Sequence, residues 1–417
     1  MNLRIFVLTV LLFLVVCAQS QTYSILIKEG HVIDSKNKID GIMDVAINAD
    51  TIARIAKDID SRQAKLVINA KGLYVTPGLI DLHSHNFYGT KPNHYLSDGL
   101  EALPPDGFTF RCGITTVVDA GGAGWRNFLL FKEQVINHSK TRVLSFLNIV
   151  GEGMRGGVYE QNLGDMDARL AALVARQHKE IVGIKVAHYF GKEWDPVDHA
   201  LEAGRMASLP VMVDFGGHTP PLSLEDLLLK RLRPGDIFTH TFARVAGRMP
   251  VVDDYGTLLP FVKEAQARGV VFDVGHGASS FSFAQAMPAL KSGFFPTTIS
   301  TDIHAGSMNG GMKDLLNVMS KFLNTGMSLQ QVVEATTWKP AQVIAQESLG
   351  NLSVGAIADV ALFGLRKGKF DFIDSGGYRI EGDQKLECEA TFREGKIVYD
   401  LNGISCPLYT NTISKKK

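Results

Sequence analysis

Eight short apolar runs, each closed by polar residues, recur between positions 73 and 304. They occupy 73–85, 115–121, 143–150, 181–187, 210–216, 237–242, 270–277 and 297–304. Amphipathic stretches separate most of them. In 167–178, for example, Leu170, Leu173, Val174 and Gln177 recur at helical spacing. Apolar strands alternating with helices indicate a parallel sheet buried on both faces. Eight such units within about 270 residues fit a closed (β/α)8 TIM barrel better than an open sheet. An open doubly wound sheet is the alternative, but no Gly-x-Gly-x-x-Gly follows a first strand to support it.

The texture changes at both ends. Between Tyr23 and Ile68 the chain reads as short strands with period-two alternation, such as Asp44-Val45-Ala46-Ile47-Asn48. The stretches 358–363, 388–392 and 396–399 read the same way. The α/β barrel is therefore expected over 77–350. A small β-sandwich domain is expected from 21–76 together with 351–417.

The first twenty residues read as a cleaved signal peptide. Arg4 precedes a twelve-residue apolar run, 5–16, broken only by Thr9 and too short to span a bilayer. Ala18-Gln19-Ser20 offers a cleavage site before Gln21. A lipid anchor at Cys17 is the alternative, with Val16 a poor residue before it, so a secreted or periplasmic protein is expected. Lys+Arg and Asp+Glu are both 43, which leaves no basic field for nucleic acid. Beyond the leader, Cys112, Cys388 and Cys406 are too few for a disulfide framework. Cys388 and Cys406 could pair in an oxidising compartment. No Cys-x-x-Cys offers a thiolate zinc site.

The polar residues gather at the C-terminal ends of the barrel strands, the face on which barrel active sites are built. The first run ends Asp81-Leu82-His83-Ser84-His85. Residues two apart on a strand share a side, so both imidazoles can reach one metal. Lys185 closes the fourth run, Asp214 the fifth, His240 the sixth, His276 the seventh and Asp302 the eighth. Each has a plain reading: a loop-facing histidine, a salt-bridged lysine, an aspartate capping the next helix. Joint placement argues against these readings, because strand ends of a closed barrel converge on one axial pocket.

Several motifs carry a resemblance to a known family. They are Val75-Thr76-Pro77-Gly78-Leu79-Ile80-Asp81-Leu82-His83-Ser84-His85, Val182-Gly183-Ile184-Lys185, Phe238-Thr239-His240, Phe272-Asp273-Val274-Gly275-His276-Gly277 and Ser300-Thr301-Asp302. The closing Leu352-Ser353-Val354-Gly355-Ala356-Ile357-Ala358-Asp359 belongs with them. The chain resembles the amidohydrolase superfamily, and within it the dihydroorotase-like amidohydrolase/deacetylase metallohydrolases. The resemblance implies two divalent metal ions, zinc by preference, bridged by a carbamate formed from Lys185 and CO2. An ammonium repels a cation, whereas a carbamate is anionic, so Lys185 must react as the neutral amine, a form that burial favours. One metal would take His83, His85 and Asp302. The other would take His240 and a strand-five ligand. Asp302 would be the general base toward a metal-activated hydroxide.

Strand five departs from the family pattern, in which a histidine is usual. Asp214 stands there, and a carboxylate can also bind zinc. His218 or a weak or empty second site are the alternatives. His276 and His304 are expected to line the substrate pocket, His304 alternatively orienting Asp302. Arg155 is expected to pair with an anionic substrate group, and Tyr189 and Trp194 could wall the pocket. The expected reaction is hydrolysis of an amide or ester, as in deacylation of an N-acyl amino acid or acylated hydroxy acid. A cyclic amidase of dihydroorotase or hydantoinase type is the alternative, and a binding protein impaired at Asp214 a more distant one. The expected partner is a small-molecule substrate, and a homo-oligomer is left open.

Overall fold

A computed structural model describes residues 22–89 and 101–409. The expected leader with Cys17 lies outside them. Among the described residues no helix is long and apolar enough to cross a membrane.

Alternating apolar residues make the first five strands: β1 (Tyr23–Asp34), β2 (Ile39–Asn48), β3 (Thr51–Ala56), β4 (Ala64–Asn69) and β5 (Tyr74–Pro77). Seven parallel barrel strands follow: β6 (Leu79–Ser84), β7 (Ile114–Gly124), β8 (Arg142–Asn148), β9 (Ile181–Val186), β10 (Val211–Val213), β11 (Ile237–Phe238) and β12 (Val271–Phe272). The chain then returns with β13 (Val360–Ile373), β14 (Arg379–Arg393) and β15 (Lys396–Asp400).

The barrel strands obey the pleat. Val118, Leu144, Val182, Met212, Ile237 and Val271 belong to one buried cluster. Their neighbours Val117, Val143, Ile181, Val211, Phe238 and Phe272 belong to another, shared with the surrounding helices. Period two thus fills the barrel and coats its outside at once. The eighth stave, 297–304, is too irregular to form a ladder, yet it closes the sheet. Asp273 bridges to Thr298 on one side and Ser84 to Ile303 on the other. The Gly277 amide donates to the Thr301 carbonyl and the Asp302 amide to the His83 carbonyl. The irregularity has a cause: Thr298 and Ser300 hydroxyls donate to Asp273, and Thr301 donates to Asp81. The curled sheet is TIM-barrel-like.

The helix Ala168–Gln177 is capped by Asp167, whose carboxylate accepts from the amides of Arg169 and Leu170. Its packed face is alanine: Ala168, Ala171, Ala172 and Ala175 are buried. Leu170 and Leu173, at the spacing noted above, are 38% and 45% exposed. Small side chains let this helix approach Asp195–Ala207 closely, and that approach decides which face is buried.

Both chain ends build one eight-stranded sheet, ordered β15-β14-β13-β5-β1-β2-β3 with β4 on β1. These strands are hydrogen-bonded into a single sheet that forks at β1. β1 pairs with β4 through 23–28 and with β5 at His31 and Val32, and the fork lies at a bulge where Glu29 has φ +59°. Ile25, Ile27, Val45 and Ile47 from one end share a core with Val360, Leu362 and Phe392 from the other. Cys388 and Cys406 do not pair: both are free, Cys388 buried and Cys406 exposed.

The β13–β14 hairpin is longer than the sequence pattern suggests, because Arg366-Lys367-Gly368-Lys369 interrupts the alternation. It lies along the helix Leu315–Leu323, where the Leu386 amide donates to Ser320 and Asn324 bonds Asp383 and Gln384. Its tip reaches the barrel mouth: the Ser375 amide donates to the Phe281 carbonyl and the Phe283 amide to Asp374.

At the opposite end, Arg142 on β8 donates to Asp359 and Glu394 and ties the barrel to the terminal sheet. Asp359 is buried, so losing the guanidinium leaves its charge unpaired. Arg142→Ala is expected to cost about 3 kcal/mol in denaturant unfolding while leaving kcat/KM unchanged, because the bridge lies far from the mouth.

Candidate metal centre

His83 ends β6 and His85 follows it by two residues. Asp302 comes from the closing stave. Their donor atoms lie within 4.8 Å of one another, and all three residues are buried. His83 Nε2 stands 3.3 Å and His85 Nε2 2.8 Å from Asp302 Oδ1. The imidazoles are oriented from behind. The Thr239 hydroxyl donates to Asp273 (2.8 Å) and therefore accepts from His83 Nδ1 (2.9 Å), which turns the Nε2 lone pair into the cavity. His240 Nδ1 donates to the Gly275 carbonyl (2.6 Å) and likewise presents Nε2. Burial pulls His83 down to about 3, so it is a neutral donor. Burial would raise the Asp302 carboxyl, but His83, His85 and His240 hold it well below the usual carboxylate range.

Lys185 ends β9 and is fully buried. Among the described residues its Nζ finds His83 Nε2 at 3.4 Å and Met212 Sδ at 3.6 Å, with no carboxylate or carbonyl in reach. Burial pulls its pKa down against the pull of Asp214 and Asp302. An ammonium buried there would have no carboxylate or carbonyl beside it, which makes the charged form costly.

Asp214 follows β10, its amide bonded to the Val186 carbonyl. Its Oδ2 lies 3.3 Å from His240 Nε2 and 3.4 Å from His188 Nε2. His240 and His188 hold the carboxyl well below its usual range despite burial. Arg248 Nη1 is 3.9 Å away, and its Nη2 donates to the carbonyls of Thr239 and His240. Three of these side chains sit on left-handed backbone: His188, His240 and Asp302, at φ +55°, +54° and +51°. Strain of this kind, about 1–3 kcal/mol at each residue, persists only where surrounding contacts hold it. Gly277, at φ +55°, completes the fit: a Cβ there would stand 2.3 Å from Asp302 Oδ2.

His83, His85, His188, Asp214, His240, Arg248 and Asp302 line one cavity of about 410 Å³ together with Phe190, Phe215, Ser279 and Ser280, and Lys185 lies outside that lining, against His83. The structure thus brings together His83, His85, Lys185, Asp214, His240 and Asp302. His304 lines the cavity too, paired with Glu101 at 2.8 Å rather than with Asp302. Two expected substrate contacts are corrected. His276 is buried behind the cavity wall, stacked on Phe281, and its Nε2 accepts from the buried Lys321 amine at 2.6 Å. Arg155 is outside the lining, paired with Glu152 at 2.9 Å and stacked on Tyr159. Tyr189 and Trp194 do not wall the cavity either, Trp194 stacking on Phe215 from behind. His218 turns its Nδ1 to the Gly191 carbonyl.

Sequence reasoning missed His188 and Arg248. An imidazole three residues beyond Lys185 was a readable signal for the first. Arg248 lies eight residues past His240 in a loop, where no spacing marks it.

The comparisons agree with this geometry. Residues 280–398 match the model of the Amidohydrolase family. A deacetylase of Brucella anthropi is 34% identical over 348 residues, covering 81% of this chain and 83% of that one. Crystal structures of an adenine deaminase (29% identity, TM-score 0.81, covering 91% of this chain and 100% of that one) and of a dihydroorotase (28%, 0.78, 90% and 99%) share the fold. The chain belongs to the amidohydrolase superfamily and is a metal-dependent hydrolase.

The residues fit divalent cations. Two imidazoles and a carboxylate converge on one point, which is the donor chemistry such ions take. The Lys185 amine, with no oxygen acceptor in reach, suits conversion to an anionic ligand. Thr239→Val removes the acceptor that orients His83 and is expected to weaken metal binding about 10- to 100-fold, measured by chelator competition. Gly277→Ala pushes a methyl into Asp302 and is expected to lower kcat about 100-fold in a protein with an unchanged circular dichroism spectrum.

Proposed function

We propose that the protein hydrolyses the amide or ester bond of a small acylated acid, releasing an acyl group such as acetate from an N-acyl amino acid or acylated hydroxy acid. The observation that carries this reading is the convergence of His83, His85 and Asp302 beside Lys185, whose amine has no oxygen acceptor in reach. The printed name of the Brucella anthropi relative, a deacetylase, supports the acyl-releasing direction.

In this reading His83, His85 and Asp302 would hold one divalent cation, zinc by preference. His240 and Asp214 would hold a second, and Lys185, as its carbamate, would supply an anionic ligand. When bound, the cations supply Lewis acidity toward a carbonyl and lower the pKa of water. The Lys185 amine attacks CO2, an N–C bond forms, and the amine proton leaves to solvent. Burial assists by lowering the pKa of that amine, which favours the neutral form that reacts. Asp302 moves the proton of hydrolysis. Its Oδ1 faces His83 and His85, and the missing side chain at Gly277 leaves Oδ2 free. Oδ2 takes the proton of the attacking water as the O–C bond forms, then delivers it to the leaving nitrogen or oxygen as the acyl bond breaks.

Arg248 is the guanidinium that lines the cavity, and it takes the role first expected of Arg155. It is suited to the carboxylate of an acylated amino or hydroxy acid. Cyclic amidase action is the second reading, favoured by the likeness to a dihydroorotase structure.

Turnover of N-acetyl amino acids or acylated hydroxy acids by zinc-loaded protein is the expected result. Hydrolysis of hydantoins or dihydropyrimidines alone would select the second reading. Arg248→Gln is expected to raise KM about 10- to 100-fold for carboxylate substrates and to spare their neutral carboxamides. Carbon-13 bicarbonate is expected to give a carbamate resonance that disappears in Lys185→Ala.

A further inference from the structure

The second cation site lacks the strand-five histidine usual in the family, since Asp214 stands in its place. We propose that His188 restores the missing imidazole, reaching the second cation from the end of strand four. This rests on the metal-hydrolase reading above.

The topology permits the exchange. β9 and β10 are hydrogen-bonded neighbours, with Val186 opposite Val213. A side chain just beyond β9 can therefore occupy the space that a side chain just beyond β10 would fill. The left-handed turn at His188 redirects its ring toward Asp214. Ring orientation is fixed from behind. Glu160 is 2% exposed, and its Oε2 accepts from His188 Nδ1 at 2.9 Å. A carboxylate on one imidazole nitrogen, with the other nitrogen facing the site, is the arrangement that orients ligating histidines.

Each imidazole stands one ligand edge from a shared oxygen. His188 Nε2 and His240 Nε2 lie 3.4 and 3.3 Å from the same oxygen, Asp214 Oδ2. Donors held at about 2.0–2.1 Å around a tetrahedral zinc stand about 3.3 Å apart. The first site has the same edge, since His83 Nε2 to Asp302 Oδ1 is 3.3 Å. His188, Asp214 and His240 all line the cavity. Strand five thus offers a carboxylate in place of an imidazole, while strand four adds an imidazole seated on a buried carboxylate.

The test is metal stoichiometry and affinity, read by elemental mass spectrometry and calorimetry on metal-stripped full-length protein reconstituted with zinc and bicarbonate. Wild-type protein is expected to bind two zinc ions per chain. His188→Ala and His188→Gln are expected to keep the ion at His83 and His85 and to lose the second at micromolar zinc. Glu160→Gln, which spares the imidazole, is expected to weaken the same ion about 10- to 100-fold. Cobalt-substituted protein is expected to lose one of two sets of ligand-field bands in His188→Gln.

Two ions of wild-type affinity in both His188 variants would overturn the proposal and leave His188 as an ion-pair partner of Asp214. A single ion in wild-type protein would overturn it as well. The wider reading fails differently, through wild-type protein that binds no metal or turns over no substrate.

Discussion

The hydrogen bond from the Asp302 amide to the His83 carbonyl, 2.7 Å long, joins the last stave of the barrel to the first. Both residues it links are site residues. Closing the sheet and assembling the metal centre are therefore one event. Asp302 arrives on left-handed backbone, and the neighbouring hydroxyls of Ser300 and Thr301 are engaged by Asp273 and Asp81. These buried carboxylates make the closing stave irregular. They also give it one position from which the Asp302 side chain meets His83 and His85.

The electrostatics follow from that closure. Asp214 and Asp302 face one cavity from separate staves, and burying such charges is costly unless they are paired. Asp302 is met by imidazoles, and Asp214 by His188, His240 and, more distantly, Arg248. Lys185 stands between them without an oxygen to accept from it. The barrel wall below is hydrocarbon, including Met212 under the lysine.

Much of this was legible in the sequence because it depends on local patterns. Period-two apolar runs set the staves, and the His83–His85 pair declared a shared side. Position at a strand end does not fix where a side chain points, however. His276 ends its run as His240 does, yet it turns behind the wall toward Lys321, a buried lysine far along the chain. Arg155 found an acid three residues away. His188 needed knowledge of Glu160 and Asp214, which come from different staves, and Arg248 needed the path of a loop. The forked sheet was hidden for a similar reason. A bulge at Glu29 sends one strand to two partners, and alternation alone does not reveal a fork.

The tip of the long terminal hairpin clasps Phe281 and Phe283, immediately beyond the Ser279 and Ser280 that line the cavity. Residues nearly a hundred positions downstream thus brace the rim through which a substrate would pass. The catalytic half and its accessory half are not separable modules. Drift in the hairpin's length or tip would alter what the mouth admits, giving substrate choice a second place in the chain from which to evolve.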